Sequence, residues 1–155
     1  MSEPVQLGRL APVVGYHLRR AQLRAYDDFP AEATRKGITP PHLAVLLLVE
    51  ANPGIKQTTL AKVLSLDRST MVRMVDRLEE AKLIERGSSR ADRRVAPPVL
   101  TAKGRAYVDA MLPKVLASEE ALLAPLSTAE RATLLRLLGK LTSPANIVAG
   151  RNNSR

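Results

Sequence analysis

Arg68, Ser69, Thr70, Arg73 and Arg77 crowd five polar side chains into one short stretch of the chain. Guanidinium groups fit phosphate oxygens and the O6/N7 edge of guanine, while hydroxyls exchange hydrogen bonds with any base edge. Spaced at 100° per residue, Met71, Met74, Val75 and Leu78 fall on one side of a helix, and Ser69, Arg73, Asp76, Arg77 and Glu80 fall on the other. The first side reads as core and the second as a contact face. Ser69, Thr70 and Arg73, near the helix start, are placed to reach bases, and Arg68 and Arg77 to reach phosphates. Asp76 and Glu80 read as solvated, or as partners of Arg73 and Arg77.

The charge of the whole chain agrees with such a face. Its 155 residues carry 24 Lys and Arg against 15 Asp and Glu, a net charge of +9. Of that surplus, +6 lies between residues 56 and 105. A polyanion-binding surface would leave this footprint, although a solvated basic face accounts for the charge alone equally well.

The contact face needs elements to hold it, and the flanking sequence supplies them. Leu7 to Phe29 places Leu7, Leu10, Val14, Leu18, Ala21 and Ala25 at helical spacing, predicting one long helix with Pro12 near its start. Thr39 before Pro40 and Pro41 starts a short buried helix that Asn52-Pro53-Gly54 ends. A helix up to Leu64, a break at Ser65 to Asp67 and a second helix from Arg68 form a helix-turn-helix. A hairpin follows, with a basic tip at Arg90, Arg93 and Arg94 and a return strand from about Val95 to Leu100. Thr101 can cap a helix that Pro113 is expected to kink, and Ser127 with Glu130 forms a capping box before a last helix ending near Leu141. The polar tail, residues 143–155, is expected to fray.

Asp92-Arg93-Arg94, followed by Leu100-Thr101 and Gly104, resembles the D-x-R then L-T-x-x-G signature of MarR-type regulators, and the resemblance covers nearly the whole chain. It implies a mainly α fold with a small β-hairpin wing. It places a winged helix-turn-helix at about residues 39–100, with the wing at about 84–100, and dimerisation helices at about 7–36 and 101–142. It implies a homodimer on a pseudo-palindromic duplex DNA operator, with one recognition helix in the major groove and one wing in the minor groove per subunit. Arg94 matches the wing-tip arginine that enters the minor groove, the other reading being a solvated turn. Asp92 matches the acid that orients nearby arginines. Pro97 and Pro98 depart from the pattern by removing two ladder donors from the return strand.

The resemblance also implies a small aromatic carboxylate effector, or its coenzyme A thioester, that releases a repressor from DNA. Tyr16, His17, Arg20, Tyr26, Phe29 and His42 are the candidates to line its site. Arg20 could pair the carboxylate or be a surface charge. Tyr16 and Phe29 could equally be core, and His17 and His42 could sense pH, ligate a metal or satisfy a core hydrogen bond.

Other classes lack parts. With no Cys there are no disulfides, thiolate metal sites or thiol nucleophiles, and two His without a Gly-rich phosphate loop or paired acids argue against an enzyme. No cofactor is expected. The longest uncharged run, residues 37–49, is too short to cross a bilayer, and the early acid and absent basic n-region point to the cytoplasm. An architectural DNA-binding protein without an effector is the remaining alternative.

Overall fold

The computed structural model describes residues 5–86 and 96–142, so Arg90, Asp92, Arg93, Arg94 and the tail from residue 143 lie outside the described residues. The chain divides into two compact units, Met1–Ser118 and Glu119–Arg155. After a single 3-10 turn, Gly8–Leu10, come α1 (Val14–Asp27), α2 (Ala31–Arg35), α3 (Pro40–Ala51), α4 (Gln57–Val63) and α5 (Arg68–Glu80). Strands β1 (Ile84–Arg86) and β2 (Pro98–Leu100) and helices α6 (Ala102–Leu123) and α7 (Thr128–Thr142) complete the order. The fold is thus mainly helical with one small antiparallel hairpin.

The expected single helix from Leu7 is divided. Pro12 has no N–H to donate, Val13 is extended, and the continuous helix begins only at Val14. In the opposite sense, α6 runs through Pro113 as one element of 22 residues. The hairpin pairs Ile84 with Leu100, Glu85 with Val99 and Arg86 with Pro98. The return strand therefore starts at Pro98, the first-residue position that proline tolerates, rather than at Val95.

Three helices of the first unit end alike. Gly37, Ser65 and Lys82 each adopt positive φ one residue past the cap of α2, α4 and α5. In each case the next residue donates back five positions: Ile38 to the Ala33 carbonyl, Leu66 to Ala61 and Leu83 to Leu78. This six-to-one closure satisfies terminal carbonyls and turns the chain sharply, and an apolar pair brackets every one of these turns. The turn between α4 and α5 is therefore fixed by backbone geometry even though its left-handed residue is Ser65 rather than glycine.

The core gathers Ile38, Leu43, Val45, Leu46 and Val49 around Met71, Met74, Val75 and Leu78, closed by Leu83, Ile84, Leu100, Val108 and Met111. Burying each large side chain contributes about 1.5–3 kcal/mol. α5 packs on α4 and β1, and β2 packs on α3, so the helix-turn-helix and the hairpin root share this core. Gly104 closes the seam: a Cβ there would lie 1.9 Å from the Leu83 carbonyl oxygen. The first turn of α6 can approach the end of α5 this closely only with glycine. Thr101 completes the junction, its hydroxyl accepting from the Gly104 N–H at 2.9 Å and donating to the Lys82 carbonyl at 2.8 Å.

In the second unit, Ser127 and Glu130 form the capping box of α7. The Ser127 N–H and hydroxyl donate to the Glu130 carboxylate at 2.8 and 2.7 Å, holding its pKa below the ordinary value. Arg131 ties the start of α7 to the end of α6 through Glu120 at 2.5 Å.

Candidate nucleic-acid interface

α5 presents the predicted faces. Met71, Met74, Val75 and Leu78 are buried, and Ser69 and Arg73 are exposed on the opposite side. A groove of about 550 Å³ runs along that side, lined by Arg68, Ser69, Val72, Arg73, Asp76 and Arg86. Three of the five predicted α5 contacts, Arg68, Ser69 and Arg73, thus come together in one depression.

The helix start is held by Asp67, whose carboxylate accepts from the Thr70 N–H at 2.8 Å, the Ser69 hydroxyl at 2.5 Å and the Thr70 hydroxyl at 2.7 Å. These bonds keep its carboxyl well below the usual carboxylate range, the Ser69 hydroxyl contributing most. Arg73 in turn donates to the Thr70 hydroxyl at 3.1 Å. Ser69, Thr70 and Arg73 are thus tied into one hydrogen-bonded group at the helix start. Sequence reasoning placed Asp67 in the turn and missed this role, although an Asp three residues before Thr70 at a helix start is a legible N-cap signal.

Asp76 does not pair with Arg73 or Arg77 as the sequence suggested. It pairs with Arg86 on β1, which also lies 3.4 Å from Glu79. The Arg86 side chain is only 9% exposed, so this contact pins the root of the hairpin to α5. Glu80 does pair with Arg77, at 3.6 Å.

Arg77 stands apart from the groove. Its guanidinium donates to the Lys36 carbonyl at 2.8 Å and lies against Gly37, where a Cβ would meet it at 2.5 Å. It lines a second depression of about 340 Å³ with Lys36, Ile38, Glu80, Ala81, Leu83, Lys103 and Tyr107. In this conformation Arg77 braces α5 against the turn between α2 and α3.

Of the six predicted effector-lining residues, Tyr16, His17 and Arg20 pack together on α1. Tyr16 and His17 pack edge to face at 5.3 Å between ring centroids, and the Arg20 guanidinium lies 5.7 Å from the Tyr16 ring. His17 bonds the Ala11 carbonyl at 2.8 Å. Tyr26 is exposed and Phe29 is buried in the core. His42 belongs to the start of α3: its Nδ1 accepts from the Thr39 N–H at 3.3 Å and lies 2.7 Å from the Thr39 hydroxyl. Burial and then the Arg77 charge push the His42 pKa down. Neither of the two depressions is lined by any of the six.

Among the described residues no helix is long and apolar enough to cross a membrane, and no group of three or more His, Asp or Glu side chains could hold a metal ion.

A MarR family profile matches residues 36–95. A Thauera aromatica protein, described as a transcriptional regulatory protein for the hcr operon, is 36% identical over 146 residues, covering 90% of this chain and 88% of that protein. The solved structure of the transcriptional repressor CouR bound to a 23-mer DNA duplex superposes with a TM-score of 0.79 at 37% identity, covering 90% of this chain and 99% of that one. CouR bound to p-coumaroyl-CoA gives 0.78 at 35% identity over the same shares.

Proposed function

The chain belongs to the MarR family of transcriptional regulators, and from that membership we propose that it is a homodimeric repressor released from a pseudo-palindromic operator by a small aromatic carboxylate or its coenzyme A thioester. The observation that carries the DNA half is the basic, hydroxyl-bearing groove on α5, with Arg86 fixing the hairpin root beside it. A helix in the major groove and a hairpin at the neighbouring minor groove divide the work of base reading and gripping. Arg94 is proposed as the arginine that enters the minor groove, Asp92 as the acid that orients nearby arginines, and Arg90 and Arg93 as further DNA contacts.

The dimer follows from what each unit leaves uncovered. α1 exposes Val14, Leu18 and Leu23, and α7 exposes Leu135, Leu137 and Leu141. Soluble monomers rarely leave such apolar faces in water, and a second copy of the chain would cover them. Two recognition helices then meet two half-sites about one helical turn apart.

The effector class is supported by the relative bound to p-coumaroyl-CoA. Tyr16, His17, Arg20, Tyr26, Phe29 and His42 remain the residues proposed to meet it. The chain acts without enzyme chemistry or a cofactor, in the cytoplasm.

Fluorescence anisotropy tests both halves, using DNA from upstream of the coding region with random duplex as competitor, before and after adding aromatic acids and their thioesters. Site preference of about 10³-fold or more, abolished by one compound, is expected. Equal competition by random duplex, with no compound acting, would establish the architectural alternative. Arg94→Ala should weaken operator binding without dissociating the dimer.

A further inference from the structure

We propose that Asp67 fixes the polarity with which Ser69 reads DNA: the Ser69 hydroxyl meets the duplex as a hydrogen-bond acceptor and selects an exocyclic amino group, adenine N6 or cytosine N4. The inference rests on α5 being the recognition helix. That reading stands on the α5 groove and on membership of a DNA-binding regulator family, not on the contacts at Asp67.

A serine hydroxyl has one proton and two lone pairs, so it discriminates between donor and acceptor edges only if something holds that proton. Here the Ser69 hydroxyl donates to the Asp67 carboxylate at 2.5 Å. The same carboxylate is held in place by the Thr70 N–H at 2.8 Å and the Thr70 hydroxyl at 2.7 Å. An ionised carboxylate can only accept, and a charge-assisted bond is roughly twice as strong as a neutral one. Donating to guanine O6, purine N7 or thymine O4 would require Ser69 to break that bond. Accepting from an amino group leaves it intact and polarises the hydroxyl further in the favourable sense.

The neighbours complete the pattern. Ser69 is exposed and lines the α5 groove, whereas Thr70 is partly buried and does not line it. One Thr70 lone pair already accepts from Arg73. Arg73, held by that contact, presents its remaining N–H groups as donors to the same groove. Side by side, Ser69 offers acceptors and Arg73 offers donors. The depressed pKa of Asp67 keeps the carboxylate ionised through the whole neutral range, so this polarity does not change with ordinary pH.

The test is in vitro selection of the full chain on a random duplex pool, run with the wild type, Ser69→Ala and Asp67→Ser. Serine caps a helix about as well as aspartate but has one side-chain oxygen, so Asp67→Ser retains the cap while releasing the Ser69 proton. At the base pair whose preference Ser69→Ala loses, the amino group is deleted with deoxynebularine or deoxyzebularine, and separately the purine N7 with a 7-deaza base. Amino deletion should weaken wild-type binding about tenfold, in line with one hydrogen bond, and leave Ser69→Ala unaffected. N7 deletion should affect both proteins equally. Asp67→Ser should melt like the wild type yet respond less than about threefold to amino deletion. The proposal is overturned if amino deletion costs the wild type nothing, if N7 deletion is what Ser69→Ala ignores, or if Ser69→Ala loses preference at no pair. Failure of the wild type to enrich any sequence would overturn the regulator reading and this inference with it.

Discussion

Arg86 on β1 reaches back ten residues to pair with Asp76 on α5 and, with only 9% of its side chain exposed, joins the root of the hairpin to that helix. The pair is local in space and invisible to periodicity.

Replacing Arg86 with Met keeps the aliphatic stem but removes the partner of Asp76, which lines the proposed DNA-contacting groove, and of Glu79 beside it. Stability should fall by about 1–2 kcal/mol, less than for a fully buried pair because both acids are partly exposed. Operator affinity should fall more than tenfold at 0.1 M salt, with Arg86→Lys recovering part of it. Chemical denaturation and anisotropy separate the two losses; unchanged affinity would deny the wing-positioning role.

Gly104→Ala should cost about 3 kcal/mol, because the new methyl group meets a backbone carbonyl that cannot rotate away. Thermal melting checks it. A variant as stable as the wild type would mean that α6 does not seat against Leu83.

Ser65→Gly should stabilise the protein by about 1 kcal/mol. Ser65 pays the left-handed penalty at the α4–α5 turn, its φ being 53°, which glycine does not incur. The gain should appear as a higher denaturation midpoint with an unchanged slope.

His42 gives the protein an acid-side weakness. Its folded pKa lies below its unfolded value near 6.5, so the unfolded chain binds a proton that the folded chain resists. Stability should therefore fall as pH drops from about 7 through the window below 6.5, as Nδ1 ceases to accept from Thr39. His42→Gln keeps a capping side chain at this position and should flatten stability against pH between about 5 and 7. An unaltered profile would place the titration elsewhere.

Elements whose signals are local were legible in the sequence: the break at Ser65 to Asp67, the α5 faces, and the Thr39 and Ser127 caps all lie within one helical turn of what they control. The division of the first helix was legible only in part, because Pro12 marks a start without telling where the helix resumes. What escaped was tertiary. The helix face suggests a phosphate contact for Arg77 but gives no sign of its bond to the Lys36 carbonyl, 41 residues away. Gly104 appeared only as a letter in a pattern, and its reason emerged once α6 was seen against the Leu83 carbonyl.

Pro98 and the preceding Pro97 carry a consequence for how copies of this chain meet. Among the described residues the sheet has two strands, so each has one edge without a partner strand, and an unpaired edge is a template on which another chain can add a strand. Two adjacent residues without N–H groups make the start of β2 a poor template of that kind. Edge-to-edge polymerisation is disfavoured at the hairpin, and the exposed leucines of α1 and α7 are faces on which a closed pair could form and growth could stop.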